Sequence, residues 1–324
     1  MLWGHQHLVR RGGHIHFDRR IHPRGLIAKG LLWYLTSLLR LAHMPRKGLV
    51  VLNYHGTPKK FNDGFVNQLR WFRQHFQILL PAEIDVFYRG ELEPVDRPCL
   101  LICFDDGLKN NLLAAETLEN FGMRGLFLVV PAFIDTPEDQ QANYHKRHIR
   151  PIINPHLASE PEDITAMSWN DLHGLHAKGH EIGCHSYSHT MLKTEDSNAT
   201  LIKEIVESKY VIEKRLSLVP NTVRTFCGPV NALRSINAQA MSLIAKYYTY
   251  QHTNYPGCNI HPRLPLLVQR VNVETHWIPE MVKFALTSLD WRRWRAEQAC
   301  FEEVVREGTS HATTMRNGAS TSSA

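Results

Sequence analysis

The sequence predicts an α/β fold, parallel strands covered by helices, arranged as a (β/α) barrel or a doubly wound sheet. Three observations predict it. Short apolar runs recur without polar alternation, helical stretches separate them, and three of the runs end in carboxylate or imidazole side chains. Strands that are apolar at every position are buried on both faces, as in parallel sheets under helices.

The elements follow in order. Residues 48–54 (GLVVLNY) form the first continuous apolar run, which ends at His55. Over 65–76, Phe65, Leu69, Phe72 and Phe76 recur at helical spacing on one face. A second run, PCLLICF at 98–104, precedes a helix over 112–121 that Gly122 closes. GLFLVV at 125–130, a helix over 169–177, a strand at 181–184 and a long helix over 201–216 continue the rhythm. Residues 222–227 read as a strand, 235–246 as a helix, 266–273 as a strand and 279–291 as a helix. The stretch from about 135 to 167 breaks the alternation. It is rich in proline, histidine and charge, and reads as a long inserted loop, a feature that often carries function.

The ends of the chain read differently. Residues 1–22 hold His5, His7, His14, His16 and His22 among arginines and glycines, without a period, and are expected to be disordered. Residues 23–47 are expected to be an amphipathic helical lead-in. Lys29 and Arg40 bracket only about ten residues of its apolar stretch, whereas about 20 are needed to cross a bilayer. The helix is therefore expected to pack on the domain or to lie at a membrane surface through residues 26–42. The N-terminus lacks the charged, apolar and small-residue order of a cleavable signal, so a cytoplasmic location is expected, and the second of these options would place the helix at the inner face of the membrane. Residues 308–324 are small and polar and read as a disordered tail.

Composition excludes several classes. With 43% hydrophobic and 21% charged residues, the chain fits a soluble globular protein long enough to bury a sizeable core. The net charge of +6 is spread along the chain and no nucleic-acid motif stands out, so nucleic acid is not an expected partner. The six cysteines form no C-x-x-C pair, which argues against a zinc ribbon or redox motif and suits a reducing compartment.

Two segments carry chemistry. In Cys103-Phe104-Asp105-Asp106-Gly107, adjacent aspartates close a buried strand and the glycine lets the chain turn. The C-terminal ends of strands are where such folds place their sites. Alone, the pair would equally serve as a helix cap and a solvated carboxylate. The second segment runs from Gly179 to His189 and ends in His185 and His189. On a helical turn, that four-residue spacing puts both imidazoles on one side. Taken together, the segments supply two histidines and a carboxylate for a metal, with positions left for water and substrate, and a second carboxylate free as a base.

These residues match the pattern of the polysaccharide deacetylase family, and the chain resembles chitooligosaccharide deacetylases, a group of carbohydrate esterases. The family's T-F-D-D-G stands here as C-F-D-D-G at 103–107, and its H-[S/T]-x-x-H as H-S-Y-S-H at 185–189. VLNYHG at 51–56, GLFLVVPAFI at 125–134 and MSWNDLHGLHAKGHEIG at 167–183 resemble the family as well. The resemblance covers roughly residues 48–291 and implies a distorted (β/α) barrel with fewer than eight complete strands, which we bound at 48–295.

The resemblance also implies roles. Asp105 would be the general base, with Asp106, His185 and His189 holding a divalent metal: zinc by default, with cobalt, nickel or iron also compatible. The third motif, R-x-P-Y in the family, stands here as Cys227-Gly228-Pro229-Val230, without its arginine and tyrosine. Pro229 keeps the turn, and the Val230 backbone N–H can still serve an oxyanion. The family's late L-x-H motif has no match, which leaves His55 or His276 as the catalytic acid. Arg270 would either replace the missing arginine or form a structural ion pair. The implied activity is metal-dependent removal of N-acetyl groups from an acetylated saccharide, releasing acetate, in polysaccharide or glycoconjugate biosynthesis. The alternatives are a carbohydrate-binding protein with a decayed site, and a hydrolase acting on O-acetyl groups or a cyclic amide with the same machinery.

Overall fold

Every strand pairing in the sheet is parallel. The computed structural model describes residues 44–92, 96–149, 160–192, 196–230, 236–262, 264–287 and 291–320. The expected tail at 1–22 and all but the end of the lead-in helix at 23–47 lie outside the described residues.

The strands are β1 (Leu49–Tyr54), β2 (Gln77–Ile78), β3 (Cys99–Phe104), β4 (Gly125–Val129), β5 (Glu181–Cys184), β6 (Thr225–Phe226), β7 (Tyr250–Gln251) and β8 (Arg270–Asn272). They run in the order β7-β6-β5-β4-β3-β1-β8, with β2 pairing β3 off this path. The two ends of the order meet. His252 bridges Val268 in parallel, and the Thr253 N–H donates to the Val268 carbonyl at 2.8 Å. This is the distorted (β/α) barrel that the motifs led us to expect, with seven strands around the ring.

Side-chain parity divides these strands into two buried faces. Val50, Leu52, Tyr54, Leu100, Ile102, Phe104, Phe127 and Val129 belong to the cluster shared with the helices. Leu49, Val51, Leu101, Cys103, Leu126, Leu128 and Cys227 belong to a second cluster inside the barrel. Each fully buried Leu or Val contributes about 1.5–3 kcal/mol of transfer free energy, so both faces commit the register. The same parity sends Asn53, Asp105 and Arg270 inward, one above or beside Val51 and Cys103 in the paired strands.

Besides a single helical turn at Pro131–Ile134, the α-helices are α1 (Asn62–His75), α2 (Ile84–Tyr88), α3 (Asn111–Asn120), α4 (Glu138–Tyr144), α5 (Trp169–Ala177), α6 (Asn198–Leu201), α7 (Ser208–Arg215), α8 (Ala238–Tyr247), α9 (Pro279–Ala285) and α10 (Arg295–Ser320). A π-helical stretch, Ile202–Glu207, joins α6 to α7, and another, His145–Ile149, continues α4. The segment expected as a long inserted loop therefore begins as helix. Helix α1 buries Phe65, Gln68, Leu69 and Phe72, one face at helical spacing.

The tail expected at 308–324 is corrected: α10 continues through Ser320. The small residues that read as disorder permit close packing here. A Cβ at Gly308 would lie 2.5 Å from Met241 Cβ and 2.8 Å from the Ala238 carbonyl oxygen of α8, so the two helices touch backbone to side chain at this point. No helix among the described residues is long and apolar enough to cross a membrane.

The bottom of the barrel, where the strands begin, is plugged by α2. Its Asp85 accepts hydrogen bonds from Arg224 and from the Tyr250 hydroxyl, and Arg224 Nη2 lies 3.5 Å from Glu181 Oε2. Burial pushes the Glu181 carboxyl up to about 7 in spite of Arg224. A raised folded value means that this group favours folding while protonated, below about pH 4.5, and loses that contribution as pH rises through its folded value. Glu181→Gln is therefore expected to stabilise the chain by about 2 kcal/mol near pH 8.5 and by little near pH 5. Urea unfolding at the two pH values measures the difference, and an equal effect at both would contradict it.

Candidate active site

The site is built at the opposite end, where β1, β3, β5 and β8 finish. Asp105 prolongs β3, and its N–H donates to the Tyr54 carbonyl at 2.9 Å. Its buried carboxylate takes a bidentate pair from Arg270, Nη1 to Oδ1 at 2.7 Å and Nη2 to Oδ2 at 3.0 Å. Asn53 Nδ2 adds a third donor to Oδ2 at 2.9 Å. Burial pushes this carboxyl up, but Arg270, His185 and His55 outweigh it and hold it far below the ordinary carboxylate range.

Arg270 is itself fully buried. Its other hydrogen bonds go to the Thr253 carbonyl (3.1 Å), Asn254 Oδ1 (2.6 Å), Asn53 Oδ1 (3.1 Å), Cys227 Sγ (3.0 Å) and Cys103 Sγ (3.7 Å). Of the two options read from the sequence, the geometry contains both: an ion pair, made to the aspartate expected to act as base. Cys227 occupies the position where the family carries its arginine, and the guanidinium arrives from β8 instead. Cys103, beneath it, donates to the Leu52 carbonyl at 3.1 Å, and burial pushes its thiol up to about 12. His252, at the end of β7, is kept neutral, since burial and the nearby Arg270 push its imidazole down to about 3.

Asp106 turns away from the strand. Its φ is 76°, a left-handed conformation that favours glycine, and Gly107 follows at 69°. Oδ1 lies 3.5 Å from His185 Nε2 and 3.3 Å from His189 Nε2. The two histidines do not share a helical turn, as their spacing suggested. They sit on a loop with Ser186 and His189 at positive φ. Four residues carrying side chains at the site (Asp106, Ser186, His189 and Val230) hold this strained conformation. Such strain persists where surrounding structure over-determines it, and it gathers at functional sites.

Each imidazole is oriented through its other nitrogen. His185 Nδ1 lies 2.6 Å from the Cys227 carbonyl and His189 Nδ1 lies 2.7 Å from the His148 carbonyl. A carbonyl accepts only, so Nδ1 carries a proton in each ring and Nε2 is the nitrogen left to face Asp106. The ligand atoms of Asp106, His185 and His189 all lie within 4.8 Å of one another. This donor set fits a divalent cation. Asp105, His185 and Cys227 also converge within that distance, but Arg270 already binds both Asp105 and Cys227, and a guanidinium repels a cation.

His55, which follows β1, has Nε2 3.9 Å from Asp105 Oδ2 and Nδ1 4.0 Å from Glu274 Oε1. His276 packs its ring against Phe61, with centroids 5.4 Å apart. Pro229 is buried, and Val230 has a φ of 62°, its carbonyl held by Asn254 Nδ2 at 2.7 Å. Asn254 thus links the third-motif turn to Arg270. Sequence reasoning missed Asn53, Asn254 and Glu274. Only Asn53 gave a signal, as a polar residue inside an apolar strand.

Residues 93–252 match the family model described as polysaccharide deacetylase. They form a polysaccharide deacetylase domain. This deacetylase domain contains both metal-type motifs, while β1 and β8, which contribute His55 and Arg270, lie outside the matched residues. Deacetylase PplD of Streptococcus pyogenes, solved in complex with acetate, is similar over 74% of this chain and 98% of its own, at 15% identity and a TM-score of 0.55. IcaB from Ammonifex degensii is similar over 74% of this chain and 97% of its own, at 18% identity and a TM-score of 0.57. The BpsB deacetylase domain from Bordetella bronchiseptica covers 71% of this chain and 97% of its own, at 17% identity and a TM-score of 0.54. At these identities the likeness is one of fold. No curated protein sequence matches the chain.

Proposed function

We propose that the chain is a metal-dependent N-deacetylase acting on a saccharide that contains acetylated amino sugars. One observation carries the reading: the Nε2 atoms of two carbonyl-tethered histidines converge on Asp106, while the neighbouring Asp105 is gripped by Arg270. Asp106, His185 and His189 would hold the ion, and zinc suits two imidazoles and a carboxylate. What a bound divalent ion supplies there is Lewis acidity toward the acetyl carbonyl and the attacking water. Burial disfavours a charged His185, but Asp105 and Asp106 raise its proton affinity overall. Loading a metal therefore displaces a proton from this imidazole.

Asp105 is ionised and fixed in orientation, so it can take the proton of the attacking water. The Val230 N–H, at the strained third-motif turn, would donate to the developing oxyanion. His55, between Asp105 and Glu274, would give a proton to the departing amine. An amine is a poor leaving group unless protonated, so an acid beside the base favours the amide over the ester reading. The relatives named as deacetylases support the same reaction class.

The test is acetate release from N-acetylated oligosaccharides and from matched O-acetylated ones, with and without a chelator. We expect release from the N-acetyl substrates, its loss on chelation and its return with added zinc. Chelator-insensitive release would end the metal reading. Release from the O-acetyl substrates alone would end the amide reading, and no release from any substrate would leave a binding protein.

A further inference from the structure

Among the described residues, two helical stretches widen to π-helical bonding, and both grip the loop that carries the histidine pair. Widened turns of this kind are rare and occur often at functional sites. From Ile202–Glu207, the buried Glu204 carboxylate accepts the Ser188 N–H at 2.9 Å and the Ser188 hydroxyl at 2.6 Å. Lys203 of the same stretch sets its ammonium over the Tyr187 ring, 5.1 Å from the centroid. From the other side, the His148 carbonyl takes the His189 Nδ1 proton. Tyr144, one residue before that π-helical stretch, donates its hydroxyl to the Ser188 carbonyl at 2.9 Å. Amide, carbonyl and hydroxyl of Ser188 are thus all engaged from outside the loop.

The next residue is His189, at a φ of 61°. A left-handed histidine does not hold itself in place, since the conformation is costly for a residue with a Cβ. We propose that Glu204 and Tyr144 are positioning residues that clamp Ser188 and so deliver His189 Nε2 to a metal. The inference rests on the metal reading above and adds to it that cation retention depends on the inserted segment and on the helix that follows the histidine loop. Neither residue reaches the reacting atoms. Glu204 acts through Ser188, and Tyr144 through Ser188 and through its ring contact with His148, 4.5 Å between centroids.

The experiment is zinc affinity of the full-length chain, measured by competition with a chromogenic chelator. Glu204→Ala is expected to weaken zinc binding about tenfold or more, the range for losing a group that orients a metal ligand. Tyr144→Phe, which removes one neutral hydrogen bond, is expected to weaken it by about threefold. Glu204→Gln, whose amide oxygen still accepts the Ser188 N–H, is expected to restore most of the affinity lost in Glu204→Ala. In a His189→Ala background, Glu204→Ala should change affinity by less than about twofold, because the clamp then has no ligand to position. A general structural role would instead cost the same in both backgrounds, and that result would overturn the proposal. If Glu204→Ala does not fold, Tyr144→Phe carries the measurement, and wild-type affinity in that variant would overturn the proposal. A wild-type chain that binds no zinc would sink the metal reading itself, which this design separates from a zinc-binding wild type with an idle clamp.

Discussion

The Asp105→Asn variant is expected to release acetate about 10²- to 10⁴-fold more slowly than the wild type, the span that a positioned general base contributes. Zinc content should be unchanged, because Asp106, His185 and His189 are untouched. The amide cannot accept the proton of water, and it also fits its surroundings poorly. Oδ2 of Asp105 faces two donors, Arg270 Nη2 and Asn53 Nδ2. An NH₂ group there meets donors only, and one facing Oδ1 meets Arg270 Nη1. The variant is therefore also expected to lose about 1–3 kcal/mol of stability, the cost of leaving buried polar groups unmatched. Acetate release, metal content and urea unfolding measured on one preparation separate the effects. Full activity in a zinc-loaded Asp105→Asn chain would remove Asp105 from the role of base. The wild-type pair also has a defined pH window. The carboxyl is depressed in the folded chain, so the stability it lends is present above about pH 4 and is lost as pH falls through the folded value.

The Arg270→Met variant should have the largest effect on stability. It strips a buried carboxylate of its counter-charge and leaves the acceptors at Thr253 and Asn254 without their donor. Breaking a buried pair by removing one partner costs about 3–5 kcal/mol. Activity should fall as well, because a carboxylate released from a bidentate clamp loses its orientation, and burial then drives it toward the protonated form. Arg270→Lys tests the geometry. Its single ammonium cannot bridge both oxygens and should recover charge but only part of the rate. The double variant Asp105→Asn with Arg270→Met should be more stable than the sum of the singles predicts, since it removes the orphaned charge. Additive losses would mean that the two side chains do not act as a pair.

What was legible in the sequence was what short-range pattern encodes. The strands showed because parallel strands buried on both faces carry no polar alternation, and Asp105, Asp106, His185 and His189 showed because they end such strands. The reach of Arg270 to Asp105, across 165 positions, has no local signature. It follows from β8 pairing β1 in a register that puts Arg270 opposite Val51. The spacing of His185 and His189 suggested a helical turn, and the chain reaches the same convergence by left-handed residues held from outside. At Gly308 the polar, small-residue text was misleading, because tight helix crossing and disorder draw on the same amino acids. Glu204 and Tyr144 were invisible as functional residues for a related reason. Glu204 sits in text that reads as plain helix and Tyr144 in a stretch that reads as a loop, and their reach to Ser188 has no local signature.

The arrival of the guanidinium from β8, late in the chain, has a consequence for how the protein is made. The side chains of both aspartates and both histidines exist once synthesis has passed residue 189, but the Glu204 carboxylate and the Cys227 carbonyl that orient the imidazoles have still to follow. The side chain that aims the base comes some 80 residues later, with the strand that closes the ring next to β1. A ribosome-bound intermediate would therefore have its imidazoles oriented before its buried carboxylate is, and the complete arrangement would arrive only when the last strand seals the barrel.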